Sequence, residues 1–151
     1  MSGLEGLDVC ELVWTLLASD NGVGGVNRLL GGSATTTGQI YRDRVPAAAI
    51  LPAATVGLVS HVDTNTLGGV RAFAVADVDV RVVGDGSSYG PLAPIAERAD
   101  TVLQAASGTR DQTYVYRLRR TAVQAFPEDD AGKSFTHVIQ TYRTEAESTV
   151  D

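Results

Sequence analysis

Residues 70–82 read VRAFAVADVDVRV, and their alternation organises the reading of the whole chain. Every even position is apolar: Val70, Ala72, Ala74, Ala76, Val78, Val80 and Val82. The odd positions carry Arg71, Asp77, Asp79 and Arg81. Side chains along an extended strand point to opposite faces in turn, so this pattern predicts one buried face and one that is wet or meets a partner. The small residues on the even face suit close packing beneath a helix.

Working outward, a first strand is expected from about Ala53 to Val62. The segment 63–69 joins the two as a hairpin connection, with Gly68 and Gly69 supplying unusual dihedrals. After the glycine-rich stretch VVGDGSSYGPL at 82–92, Leu92, Ile95, Ala96, Ala99, Val102, Leu103 and Ala106 recur at helical spacing, and Ser107-Gly108 ends that helix. Thr113 to Ala125 reads as a third strand, 127–133 as a turn, and Phe135 to Arg143 as a fourth strand. At the other end, Asp8 and Glu11 form an Asp version of the capping box. They precede Val9, Leu12, Val13, Leu16 and Leu17, which share one helical face. A short helix at Val23–Leu30 stops at Gly31-Gly32, and Ser33–Gly38 is small and polar enough to be a loop. The expected fold class is α+β: N-terminal helices plus a mainly antiparallel four-stranded sheet, β-β-α-β-β, packed against a helix.

With 151 residues, 44% hydrophobic and 20% charged, the chain is expected to form one domain spanning 1–151. A net charge of −6 argues against affinity gained by neutralising phosphates. The basic residues are eleven Arg and one Lys, Lys133. Arg enrichment fits bidentate pairing at interfaces, and equally fits a GC-rich coding bias. The single Cys10, in the apolar half of a helix, rules out an internal disulfide or a multi-Cys metal site. The N-terminus lacks the positive start of a secretory signal and no apolar run is long enough to span a bilayer, so the expectation is a soluble protein without a membrane partner.

Candidate sites divide into weak and open ones. Gly84, Gly86 and Gly90 give G-x-G-x-x-x-G, one residue longer than the dinucleotide fingerprint, with Pro91 and Pro94 where free N–H groups are needed. The reading is a connecting loop; a small nucleotide-binding protein using 84–90 is the enzyme-class alternative. His61 and His137 belong to no ligand-spaced motif, and Ser87-Ser88 lack a nucleophile-elbow context. No catalytic residue, cofactor or metal is expected. The carboxylates Glu128, Asp129 and Asp130 lack EF-hand spacing and read as a solvated hairpin tip or an acidic docking loop. The remaining charges lie on strands: Asp77, Asp79 and Arg81 on one, Arg117, Arg119 and Arg120 on another. They either pair within the subunit, where exposed pairs contribute about 0–1 kcal/mol, or join copies and fix their register.

Taken in order, several segments resemble the tail terminator, or tail completion, proteins of long-tailed bacteriophages. They are VNRLLGG at 26–32, Ile40-Tyr41, Arg44-Val45-Pro46, the strand ending VDVRVVG, the helix APIAERADTVLQAA, the strand YVYRLRR and the closing EDDAGKSFTHVIQTYR. The likeness runs from about Asp8 to Arg143. It departs where Ser33–Thr37 and PAAAILPAA (46–54) replace a tighter Pro-rich approach to the first strand. The resemblance implies a non-enzymatic virion protein that closes the growing tail tube as a ring, usually a hexamer. Its implied partners are copies of itself, the tail tube protein and a head–tail connector or stopper protein, with DNA passing the lumen without specific binding. The implied location is the head-proximal end of the tail, after assembly in the host cytoplasm. Another neck component, a stopper or adaptor, is the nearest alternative.

Overall fold

The computed structural model describes residues 5–69 and 71–149; Val70 and the side chain of Arg71, both placed in the second strand above, lie outside it. In chain order the elements are α1 (Glu5–Ala18), α2 (Val26–Leu29), β1 (Ile40–Arg42), β2 (Ala53–Asn65), β3 (Arg71–Asp85), α3 (Ala93–Leu103), β4 (Gly108–Arg110), β5 (Thr113–Val115), β6 (Arg119–Asp130) and β7 (Lys133–Ser148).

The architecture corrects the expected fold class. The chain is mostly β, a seven-stranded mixed sheet curled into a half-barrel, and not a four-stranded antiparallel sheet with N-terminal helices. The long strands run β2-β3-β7-β6, each antiparallel to the next, and β1 lies parallel to β2 over only three residue pairs. β5 and β4 extend the sheet from the C-terminal end of β7. Strands β1, β4 and β5 have three residues each, too few to show a period-two pattern. The expected third strand is two: β5 pairs the end of β7, and Tyr116–Leu118 break the run before β6.

The alternation in β3 has the predicted consequence from Ala74 onward. Ala74, Ala76, Val78, Val80 and Val82 are each at most 1% exposed, while Asp77, Asp79 and Arg81 are half-buried on the other face. Opposite the even face, α1 contributes Val9, Leu12, Val13 and Leu17, and α3 contributes Ile95, Ala96, Ala99 and Leu103. Burying one such Val, Leu or Ile side chain is worth about 1.5–3 kcal/mol, so this layer holds the helices on the sheet. The expected capping box is absent, because α1 already includes Glu5 and Asp8 lies inside the helix. Its carboxylate instead accepts the Thr113 hydroxyl, tying α1 to β5.

The helix between β3 and β6 is carried back by the 84–92 segment. Gly84 is buried, with Leu92 Cδ2 at 2.6 Å from where a Cβ would sit, and Gly86 turns with φ 84°. Both glycines are thus explained by packing and turning. On the far face, Val45, Pro46, Ala47, Ala49 and Leu51 fold over Val83, Phe135 and His137 around a cleft of about 230 Å³.

Candidate assembly surface

β6 is the element the core does not claim. All twelve of its residues are exposed, and among the described residues its strand pairing is with β7 alone. A strand with one neighbour presents a row of unpaired backbone N–H and C=O groups along its other side. Pro127 sits in this strand, where an edge position makes its missing N–H harmless. This is why the expected 127–133 turn is shorter: pairing continues to Asp130↔Lys133, and only Ala131 (φ 51°) and Gly132 (φ 79°) reverse the chain. Positive φ at both central residues is the tight hairpin geometry. Between its charged ends β6 carries Ala122, Val123, Ala125 and Phe126, with Val123 52% and Phe126 36% exposed.

The base of β6 is anchored to α3. Arg120 Nη1 lies 3.3 Å from Asp100 Oδ2, and the Tyr142 hydroxyl donates to Asp100 Oδ1 at 2.9 Å. Burial, reinforced by that bond, pushes the Tyr142 phenol well above its ordinary value. From this anchor an open groove of about 500 Å³ runs between α3 and the helix-side face of β6, lined by residues including Ala93, Ala96, Glu97, Val123, Ala125 and Gln140. Gln140 is 3% exposed; its Nε2 donates to Ala96 O at 3.1 Å, and its Oε1 has no hydrogen-bond partner among the described residues. A buried acceptor without a donor costs about 1–3 kcal/mol, and a donor arriving in the groove removes that cost.

The structure places the candidate charges on different neighbours than the sequence offered. β7 lies between β3 and β6, so Asp77 and Asp79 do not meet Arg117 or Arg119. Asp77 takes a two-pronged bond from Arg143 (2.8 and 3.0 Å), and Asp79 accepts the Thr141 hydroxyl at 2.6 Å. The Arg143 guanidinium, aided by the Ser60 hydroxyl, holds the Asp77 carboxyl below its ordinary value. Arg81 has no ion-pair partner among the described residues, nor do Arg117 and Arg119 at the base of β6. At the tip, Glu128 Oε2 bonds His137 Nε2 at 2.6 Å and Asp129 accepts from Ser134. His137 is also stacked on Phe126, 4.7 Å between centroids. β6 therefore runs from a basic base through an apolar middle to an acidic tip.

The opposite border of the sheet is also partly open. β1 covers β2 only at Ala54–Val56, and no described strand lies beside residues 57–65 on the side away from β3. Val59, at a bulge, is 56% exposed and Val62 59%. His61 faces the helices, accepting from Gly6 N through Nδ1 and contacting Asp63 through Nε2.

Sequence reasoning passed over Asn27. It is 1% exposed and organises the segment between α2 and β1: Nδ2 donates to Ser33 O and Thr36 O, and Oδ1 accepts from Gly38 N at 2.7 Å. Nearby, Asp20 takes both prongs of Arg98 at 2.8 Å and caps Val26 N, binding α3 to the α1–α2 connection. A lone Asn in a VNRLLGG run carries no periodic signal, so only the quoted motif could have drawn attention to it.

Comparison with known proteins adds the following. A family model described as "Tail completion protein gp17" matches residues 16–146. No curated protein matches the chain in sequence. Among solved structures, a chain from "Virion of native gene transfer agent (GTA) particle" superposes with a TM-score of 0.66 at 20% identity, over 90% of this chain and 92% of that one. At that identity the likeness is one of fold.

Proposed function

Because the chain belongs to the family of tail completion protein gp17 and is a structural protein of a phage tail, we propose that it assembles as a hexameric ring. That ring closes the head-proximal end of the tail tube and joins it to the head. The chain acts as one domain and without catalytic turnover. The single observation that carries this reading is the fully exposed, twelve-residue edge strand β6 on a matched tail-completion fold. An edge of that length is ordinarily blunted or covered; the bulge after Arg120, Pro127 and the charged ends blunt β6 locally, and its apolar middle is what assembly would cover. A ring hides each subunit's patch against the next copy by a contact whose rotation closes on itself.

The partners that follow are copies of the chain, the tail tube protein below and a connector or stopper protein above. Loops at 66–69, 86–90 and 131–132 and the acidic tip Glu128–Asp130 are the segments proposed to meet them. The net charge of −6 suits a passage through which DNA moves without sticking, since a negative wall repels phosphate. Removing the gene tests the reading: tubes of uncontrolled length that fail to join heads are expected. Tubes of normal length with only head attachment lost would contradict it and indicate a stopper or adaptor.

A further inference from the structure

The two open borders of the sheet are unlike, lie at opposite ends of one strand order, and are complementary. We infer that β6 of one copy pairs antiparallel with the outer half of β2, residues 57–65, of the next copy, so that the sheet continues from subunit to subunit. This rests on the ring reading and specifies its contact.

Three observations carry it. First, β2, β3, β7 and β6 alternate in direction, so a further β2 beside β6 continues the antiparallel ladder. Second, the charges along the two borders run in opposite senses. Register places Arg119, Arg143, Asp77 and Ser60 on one row across the sheet, near the Asp63 end of β2. At the other end, β1 ends at Arg42 beside Val56 and is followed by Arg44, so a β6 laid antiparallel along residues 65–57 of the next copy brings its Glu128–Asp130 tip up to these arginines. Arg42 is engaged by Glu11, whereas Arg44 is exposed and has no ion pair among the described residues. A head-to-tail contact thus sets basic against acidic at both ends, which fixes register more than it adds affinity. Third, both borders expose aliphatic side chains, Val59 and Val62 on one and Val123 on the other. The α3–β6 groove gives the incoming strand's helix-side residues a place to fill, beside the unpartnered Gln140 Oε1.

Two β6 strands could also pair with each other about a two-fold axis, since a basic base meets an acidic tip there too. That arrangement leaves the β2 border with Val59 and Val62 bare, and closes no ring. Pairing β6 with β2 covers both borders with one contact.

Full-length variants Val59→Cys, Val62→Cys, Val123→Cys and Ala125→Cys, at sites outside the buried core, test this with a short bis-maleimide linker on tubes carrying the protein. A linker tolerates a small offset in register, and two sites on each border guard against a variant that folds poorly. Equimolar mixtures of one β2 and one β6 variant should cross-link to dimers. A chain carrying one cysteine on each border should give a ladder up to the closed ring, with single variants alone remaining at the wild-type background. Homodimers from Val123→Cys or Ala125→Cys alone would overturn the inference in favour of two-fold pairing. Rings seen on tube ends without any β2–β6 cross-link would overturn it while leaving the ring reading standing. No association of copies on tubes would remove both.

Discussion

Replacing Asn27 with alanine should weaken the fold well beyond what removing an amide usually does. The side chain is 1% exposed and serves three backbone groups six to eleven positions along the chain: the Ser33 and Thr36 carbonyls and the Gly38 N–H. Alanine leaves all three without that partner. A buried orphan costs about 1–3 kcal/mol. Thr36 is exposed and its carbonyl keeps the Ser33 N–H, so the half-buried Ser33 carbonyl and Gly38 N–H carry most of the cost, and the total should be about 3 kcal/mol, a large part of an ordinary domain's stability. For a chain of this size that corresponds to a fall in Tm of about 6–12 °C. Reversible thermal and urea unfolding of the two proteins measure it directly. Gly38→Ala should be of similar severity, because its Cβ would stand 2.5 Å from Leu30 O and 2.7 Å from Gly32 N. A loss below about 1 kcal/mol for Asn27→Ala would refute the view that this residue holds the approach to β1 in place.

Other consequences follow from the same geometry. The Asp20 and Asp77 carboxyls are held below their ordinary 3.8, chiefly by hydrogen bonds from Arg98 and Arg143. A depressed folded value means the stabilisation is complete above 3.8 and is lost as pH falls through the lower folded values, so acid unfolding curves of Asp20→Asn and Asp77→Asn should be flatter in that range than wild type. Ala131→Asn, at φ 51° beside Gly132, should stabilise the β6–β7 hairpin by about 0.5–1 kcal/mol, read by thermal melting, because Asn-Gly suits a turn needing positive φ twice. Burial pushes the Cys10 thiol up to about 12, so an aromatic disulfide reagent at pH 8 should react with unfolded chain far faster than with folded chain; equal rates would contradict its placement.

How much of this was legible in the sequence depended on how long each element is and what it packs against. β3 shows its two faces over a dozen residues because one of them lies under two helices, and that contrast is written into hydropathy. β6 hides from the same test: it is exposed on both faces, so Ala122, Val123, Ala125 and Phe126 sit among charges with no buried partner to set a period. Pro127 and three carboxylates then imitate a turn, since an edge strand tolerates residues that a central strand rejects. The three-residue strands β1 and β4 are products of tertiary pairing and leave no local trace. Without them, and with β5 and β6 merged, a seven-stranded curled sheet reads as four strands. The charges show a related limit. Asp77, Asp79, Arg117 and Arg119 are visible as charged strand residues, but which of them meet depends on β7 being the middle strand, and Arg143, the actual partner of Asp77, draws no attention in sequence. The order and spacing of motifs carried the family resemblance despite this, because they do not require the sheet to be counted correctly.

The most direct test of the account is a reconstruction of the assembled particle by electron cryomicroscopy at a resolution that traces strands. It should place six copies of this chain in one ring at the head-proximal end of the tube, with β6 of each copy beside residues 57–65 of its neighbour. Finding the polypeptide at another level of the particle, or nowhere between portal and tube, would contradict it.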